Sequence, residues 1–243
     1  MCRWLLAAVV AAVAPLAVPN VASAQWTGFY VGANVGYSWG KTSNSYTALD
    51  GANAPHTTTD SFSMNGAIGG GQIGFNYLFA PRWVAGIETD IQGSGEKFNG
   101  SRVACSPDPC DTHVVNQSFS EKLQWFGTVR GRAGYLVMPN WLVYGTGGIV
   151  YGKLTRDDSY NNVNTATVVT TSQSATKSGG VFGFGVESIL WGNFTGRVEY
   201  LHFELPGLGS QHVTNGQLDL TQTSNRFRDD IVRVAVNYLI MPH

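Results

Sequence analysis

Apolar and polar side chains alternate along most of this chain, and that period of two constrains the fold more tightly than any other feature. Successive side chains of a strand point to opposite faces, so sustained alternation describes a sheet with one apolar and one polar face. From Phe29 the odd positions read Phe29, Val31, Ala33, Val35, Tyr37, Trp39, and the even ones Tyr30, Gly32, Asn34, Gly36, Ser38. Ile73, Phe75, Tyr77 and Phe79 then alternate with Gln72, Gly74 and Asn76, and Ala85, Ile87, Thr89 and Ile91 with Gly86, Glu88, Asp90 and Gln92. Leu123, Trp125, Gly127, Val129, Ala133 and Tyr135 face away from Lys122, Gln124, Thr128, Arg130, Arg132 and Gly134. Val232, Val234, Val236, Tyr238 and Ile240 repeat the pattern against Arg233, Ala235 and Asn237.

Such segments lie near residues 27–39, 63–79, 83–93, 119–136, 141–152, 179–190, 194–204 and 227–240. The turns around Pro81, Pro139 and Gly192 are short, whereas the connections 40–62, 94–118, 153–178 and 205–226 are long. Residues 155–177, rich in Thr, Ser and Asn, read either as a mobile surface loop or as a β-extension that contacts a partner. Short and long alternate strictly, which sends every turn to one end and every long loop to the other. Trp83, Trp141 and Phe194 directly follow the short turns, and aromatic rings suit a membrane–water interface. The expectation is an all-β, eight-stranded antiparallel up-and-down transmembrane β-barrel, closed because an open edge would leave backbone groups unpaired in hydrocarbon. A soluble β-sandwich also alternates. Strands of soluble proteins average about five or six residues, and several segments here are roughly twice that.

Composition narrows the class further. Charged residues make up 13% of the chain, about half the share of a soluble globular domain. A net charge of −1 removes the electrostatic case for nucleic acid. The one long apolar run, Trp4 to Val18, follows Arg3 and precedes Ala22-Ser23-Ala24, the pattern of a secretory signal cleaved after Ala24. Pro15 and Pro19 interrupt a stretch already short for a membrane span. The expected organisation is therefore a signal peptide, 1–24, and an exported barrel domain, 25–243. Cys2 leaves with the signal. Cys105 and Cys110 enclose Ser-Pro-Asp-Pro, and in an exported chain they read as a loop-pinning disulfide rather than a metal site.

The polar faces collect Glu88, Asp90, Glu187 and Glu199 with Lys122, Arg130, Arg132, Arg197 and Arg233. Glu88 and Asp90 as a catalytic carboxylate pair, or the whole set as a pore lining, are two readings. The favoured one is a lumen network in which opposite charges satisfy one another, because an eight-stranded barrel is only just wide enough for its own side chains. Serine hydrolysis needs Ser, His and a carboxylate within reach, and His56, His113, His202, His212 and His243 make no such arrangement with serines on a strand face; His202 with Glu204 is suggestive only as a rim pair. The expectation is no catalytic site, no metal and no cofactor. Haem held by His56, His113 and His212 is the weaker alternative.

Trp26-Thr27-Gly28-Phe29-Tyr30-Val31-Gly32-Ala33-Asn34-Val35-Gly36-Tyr37 resembles the opening of a family of small alphaproteobacterial outer-membrane barrels, which includes immunogenic, porin-like and haemin-binding surface proteins. Phe126 to Tyr135, Gly183-Phe184-Gly185-Val186-Glu187 and Gly196-Arg197-Val198-Glu199-Tyr200-Leu201 are similar in the same order. The family usually closes on an aromatic, whereas this chain ends Leu239-Ile240-Met241-Pro242-His243. The resemblance implies an eight-stranded barrel with both ends in the periplasm. Its surroundings would be outer-membrane lipid and lipopolysaccharide, with an extracellular partner met through the long loops. The expected role is structural and surface-interactive, with a narrow small-solute path at most; a true porin and a haem- or ligand-binding surface protein are the alternatives.

Overall fold

In a computed structural model, residues 26–50, 56–106, 113–163, 166–215 and 218–240 are described. The signal segment 1–24 and the Cys105–Cys110 pairing lie outside the described residues. The strands are β1 (Gly28–Asp50), β2 (His56–Ala80), β3 (Trp83–Ser94), β4 (Lys97–Ser106), β5 (His113–Met138), β6 (Trp141–Asn162), β7 (Thr167–Trp191), β8 (Phe194–Asn215) and β9 (Leu218–Ile240). Each neighbouring pair is antiparallel, and β1 pairs with both β2 and β9, so the sheet closes on itself. β3 and β4 occupy one position between β2 and β5, separated at Gly95-Glu96. Gly95 N–H still donates to Ala67 O at 2.9 Å, and Leu123 N–H to Glu96 O at 3.3 Å, so the ladder carries across the break. The fold is an eight-position, antiparallel, up-and-down β-barrel.

The alternation decides which face is which. On β1, Tyr30, Asn34, Ser38 and Thr42 are buried inside, while Phe29, Val31, Val35 and Trp39 face outward. Ile87 is 67% exposed and Val35 62% exposed on the outer wall. Aliphatic wall of this kind is stable where its solvent is lipid. Aromatic contacts rim the wall at both ends. Phe29–Phe75, Trp83–Tyr135 and Phe194–Tyr238 lie at the short-turn end, with Tyr37–Trp39 and Trp125–Tyr151 at the other. The lipid-facing band therefore runs from Phe29 to Trp39 on β1, Trp83 to Ile91 on β3 and Val232 to Ile240 on β9.

The long connections are corrected by the structure: most of their described residues are strand. β1 and β2 stay paired as far as Ala48 opposite His56, and β6 and β7 as far as Asn162 opposite Thr167. At about 3.3 Å per residue, a strand of 23 residues spans roughly 75 Å. Tilted by about 40°, it stands roughly 55–60 Å tall, about twice the apolar band of such barrels. Over 155–177 the structure takes the β-extension of the two readings among the described residues, and elsewhere the extension hid in the sequence because water lies outside it. Hydroxyl pairs replace apolar ones there: Ser45–Thr59 at 3.1 Å, Thr47–Thr57 at 2.9 Å and Ser210–Thr223 at 2.9 Å.

Two irregularities mark the boundary. β5 carries a bulge between Leu123 and Trp125, and its inward face changes there from odd to even positions. β9 changes in the reverse sense, from even to odd, around Asn225, opposite the Ser43/Asn44 step and the Pro206/Gly209 step of its neighbours. An extra residue in one strand turns every later side chain to the other face.

Candidate functional site: the filled lumen

Inward-pointing residues stack in layers from the short-turn end outward. Trp26, Val84, Leu136, Leu142 and Tyr144 form a basal apolar layer, and the Trp26 indole N–H donates to Pro139 O at 3.0 Å. Above them lies a polar chain. Asn34 Nδ2 donates to Gln72 Oε1 (2.6 Å), Gln72 Nε2 to Asn237 Oδ1 (2.7 Å), and Asn237 Nδ2 and Thr195 Oγ1 to Glu187 Oε1 (3.0 and 2.6 Å).

The charged layer comes next. Arg130 donates to Glu88 (2.5 Å), Asp90 (3.0 Å) and Glu199 (3.1 Å). Arg132 meets Glu187 at 2.6 Å, Arg233 meets Asp90 at 2.9 Å and Glu199 at 2.6 Å, and Arg197 donates to both oxygens of Glu88. Tyr30 and Tyr144 hydroxyls donate to Glu88 (2.6 Å) and Glu199 (2.8 Å). Arg132 also sits 4.0 Å from the Tyr144 ring centroid. Four guanidinium groups thus face four carboxylates, every one of these side chains at most 2% exposed. A buried charge without a partner costs several kcal/mol, and this count leaves none unopposed.

Lys122, grouped with these residues on sequence parity, stands elsewhere. It is exposed on the outer wall, because the bulge after Leu123 separates its phase from that of Arg130. Leu123 correspondingly turns inward. Of the one candidate catalytic pair, Glu88 lies within salt-bridge distance of three guanidinium groups, Arg130, Arg197 and Arg233, and Asp90 of two, Arg130 and Arg233.

Sequence parity missed a second set of inward groups. Beyond the charged layer, Ser38 Oγ contacts Asp229 Oδ1 at 2.5 Å and also hydrogen-bonds the Glu96 carboxyl. The pair stands past the lipid-facing band, where burial pushes Asp229 up to about 7, and burial with the facing Asp229 pushes Glu96 up to about 10. Glu96 was legible in principle, since it continues the even face of Glu88, Asp90 and Gln92. Met64, Ile68, Leu123, Phe126, Phe203, Leu205 and Phe227 belong to an apolar plug around this level. In the extension, Arg156 meets Asp158 at 2.8 Å and Glu121 at 3.6 Å, and donates to the Tyr46 hydroxyl at 3.1 Å. Burial raises both carboxyl groups above their ordinary values despite that guanidinium.

Of the histidines, the side chains of His202 and His212 are described, and these two stand apart. His202 lies on the outer wall with Nδ1 2.8 Å from Asp230, and His212 is exposed beside Thr221. His243 and the side chains of His56 and His113 lie outside the described residues. Among the described residues, no three His, Cys, Asp or Glu side chains group as metal ligands.

A family model for the outer membrane protein beta-barrel domain matches residues 6–238. The chain belongs to that family. It is 32% identical over 231 residues to the 31 kDa outer-membrane immunogenic protein of Brucella melitensis, covering 93% of this chain and 88% of that one. It is 30% identical over 182 residues to the 22 kDa outer membrane protein of Rhizobium leguminosarum bv. viciae, covering 75% and 65%. Among solved structures, the outer membrane protease OmpT of Escherichia coli aligns with 86% of this chain and 97% of its own, at 11% identity and a TM-score of 0.41. As a family member the chain is an outer-membrane barrel protein, and its relatives carry immunogenic or outer-membrane names.

Proposed function

We propose that this barrel is a structural, surface-interacting protein of the outer membrane whose lumen is closed to bulk ion flow. The observation carrying this reading is the stack of a charge-neutral layer and an apolar plug, both fully desolvated, across the interior. An open porin keeps a polar, water-filled channel instead. In this reading residues 1–24 direct export and are removed, both termini are periplasmic, and the strand extension projects outside the cell as the partner-binding surface. A disulfide between Cys105 and Cys110 would close the β4–β5 connection, which mass spectrometry of protein from native membranes tests directly.

Planar-bilayer recording tests the closed lumen. Wild type should give no large stable conductance, whereas Glu199→Gln, which deprives Arg130 and Arg233 of an anionic partner, should raise the current. Wild-type current of porin size, unchanged in Glu199→Gln, would replace this reading with that of a true porin. The haem alternative has its own readout: a Soret shift on haemin titration.

A further inference from the structure

We infer that the outer wall carries a binding site for the phosphate groups of an outer-leaflet glycolipid, centred on Lys97, Lys122 and Lys153. This rests on the membrane orientation proposed above. Lys97 on β4 and Lys122 on β5 are direct cross-strand partners, and both are exposed on the same outward face. Lys153 on β6 is also outward and pairs with Trp125, three residues beyond Lys122 on β5. Like charges placed directly opposite on a sheet repel. Among the described residues none of the three has a carboxylate within salt-bridge distance. Their strand neighbours Glu96 and Glu121, which would compensate them, point into the lumen instead.

The other side of the barrel shows what a compensated group looks like. Outward Arg226 and Arg228 share Glu204 at 3.2 and 2.8 Å. Outward Asp157, two positions past Lys122's cross-strand partner Thr155, takes a hydrogen bond from Ser172 and makes no ion pair with the lysines. Three cations thus share this face without a direct described counter-charge, and an anion from outside the chain can supply it.

Their height selects which anion. Trp125 and Tyr151, with ring centroids 6.1 Å apart, lie at the edge of the apolar wall next to the lysines. Ile91, Val129 and Ile149 continue that wall below. Aromatic rings settle at headgroup level, so the three ammonium groups stand where lipid phosphates lie while acyl chains cover the wall beneath. A phosphorylated glycolipid supplies both halves, and charge-assisted N–H···O contacts to phosphate are the strong kind.

The test uses full-length barrel in phosphatidylcholine vesicles doped with bis-phosphorylated lipid A, or with the same lipid after phosphate removal, with bound lipid counted by native mass spectrometry. Wild type should hold the phosphorylated form about tenfold more tightly than the dephosphorylated one, and K97Q/K122Q/K153Q should lose that margin. K97R/K122R/K153R should keep it. In plain phosphatidylcholine the glutamine triple should unfold at a higher denaturant concentration than wild type, because the lysine repulsion is gone. Equal binding by the glutamine triple, or equal binding of the two lipids, would overturn the site while leaving the membrane reading intact. A wild type that never becomes heat-modifiable in any vesicle would overturn both.

Discussion

Arg197 on β8 donates to the Glu88 carboxylate on β3, 2.9 Å away for one of its two contacts, although these strands are not neighbours in the sheet. The contact crosses the lumen, so it ties opposite walls rather than adjacent strands. Removing Glu88 leaves Arg197 buried without its salt-bridge partner, at a cost on the order of 3–5 kcal/mol, whereas removing Arg197 leaves Glu88 still met by Arg130 and should cost less. Glu88→Gln and Arg197→Met should each lower the urea midpoint of protein folded into vesicles. The double variant should cost clearly less than the two singles added, which is the signature of direct coupling. Strict additivity in that cycle would refute the pairing.

The lipid-facing assignment of β1 predicts opposite outcomes at one position. Ala33 faces outward between Val31 and Val35. Ala33→Val should leave vesicle stability nearly unchanged, whereas Ala33→Arg should cost about 2–4 kcal/mol near the midplane. Equal midpoints for the two variants would reverse the faces.

Acidity should tighten the barrel just outside the lipid band. The Asp229 and Glu96 carboxyls face each other across Ser38 with values raised to about 7 and about 10, from ordinary values of 3.8 and 4.5. A raised value in the folded state favours the protonated form, so its stabilisation is complete below the ordinary carboxylate range and fades as pH climbs through 7. The urea midpoint should be higher at pH 5 than at pH 8. Asp229→Asn should flatten that dependence, and an unchanged slope in the variant would remove the pair from the explanation.

The extension should behave as sheet in solution. Backbone amides of residues 42–48 and 167–175 are predicted to exchange with deuterium slowly, on the scale of strands rather than loops. Exchange within seconds across both segments would restore the loop description.

The lipid-facing half was legible because one of its faces must be apolar; Val31 against Gly32, or Ile87 against Glu88, leaves only one reading. The outer half was not. Ser43, Ser45 and Thr47 meet water on one side, while Thr42 and Asn44 meet Glu121 on the other, so hydropathy no longer alternates even though geometry does. Lys122 failed for a different reason. Parity counts forward without error only while the ladder is unbroken, and no residue type around Gln124 announces the extra position. Arg130, Arg132, Arg197 and Arg233 were found together because no bulge separates them from the apolar runs used to set their phase.

The bulges at Gln124 and Asn225 have a consequence for how the chain tolerates change. Each lies at the junction of the two halves and absorbs a residue of slack between them. Insertions and deletions of a strand residue beyond the junction can be taken up there, leaving the charged layer in phase. The barrel is therefore divided into a foundation whose inward face is fixed by the charged layer and an outward storey whose register is set separately, and the joint between them is a pair of bulged positions.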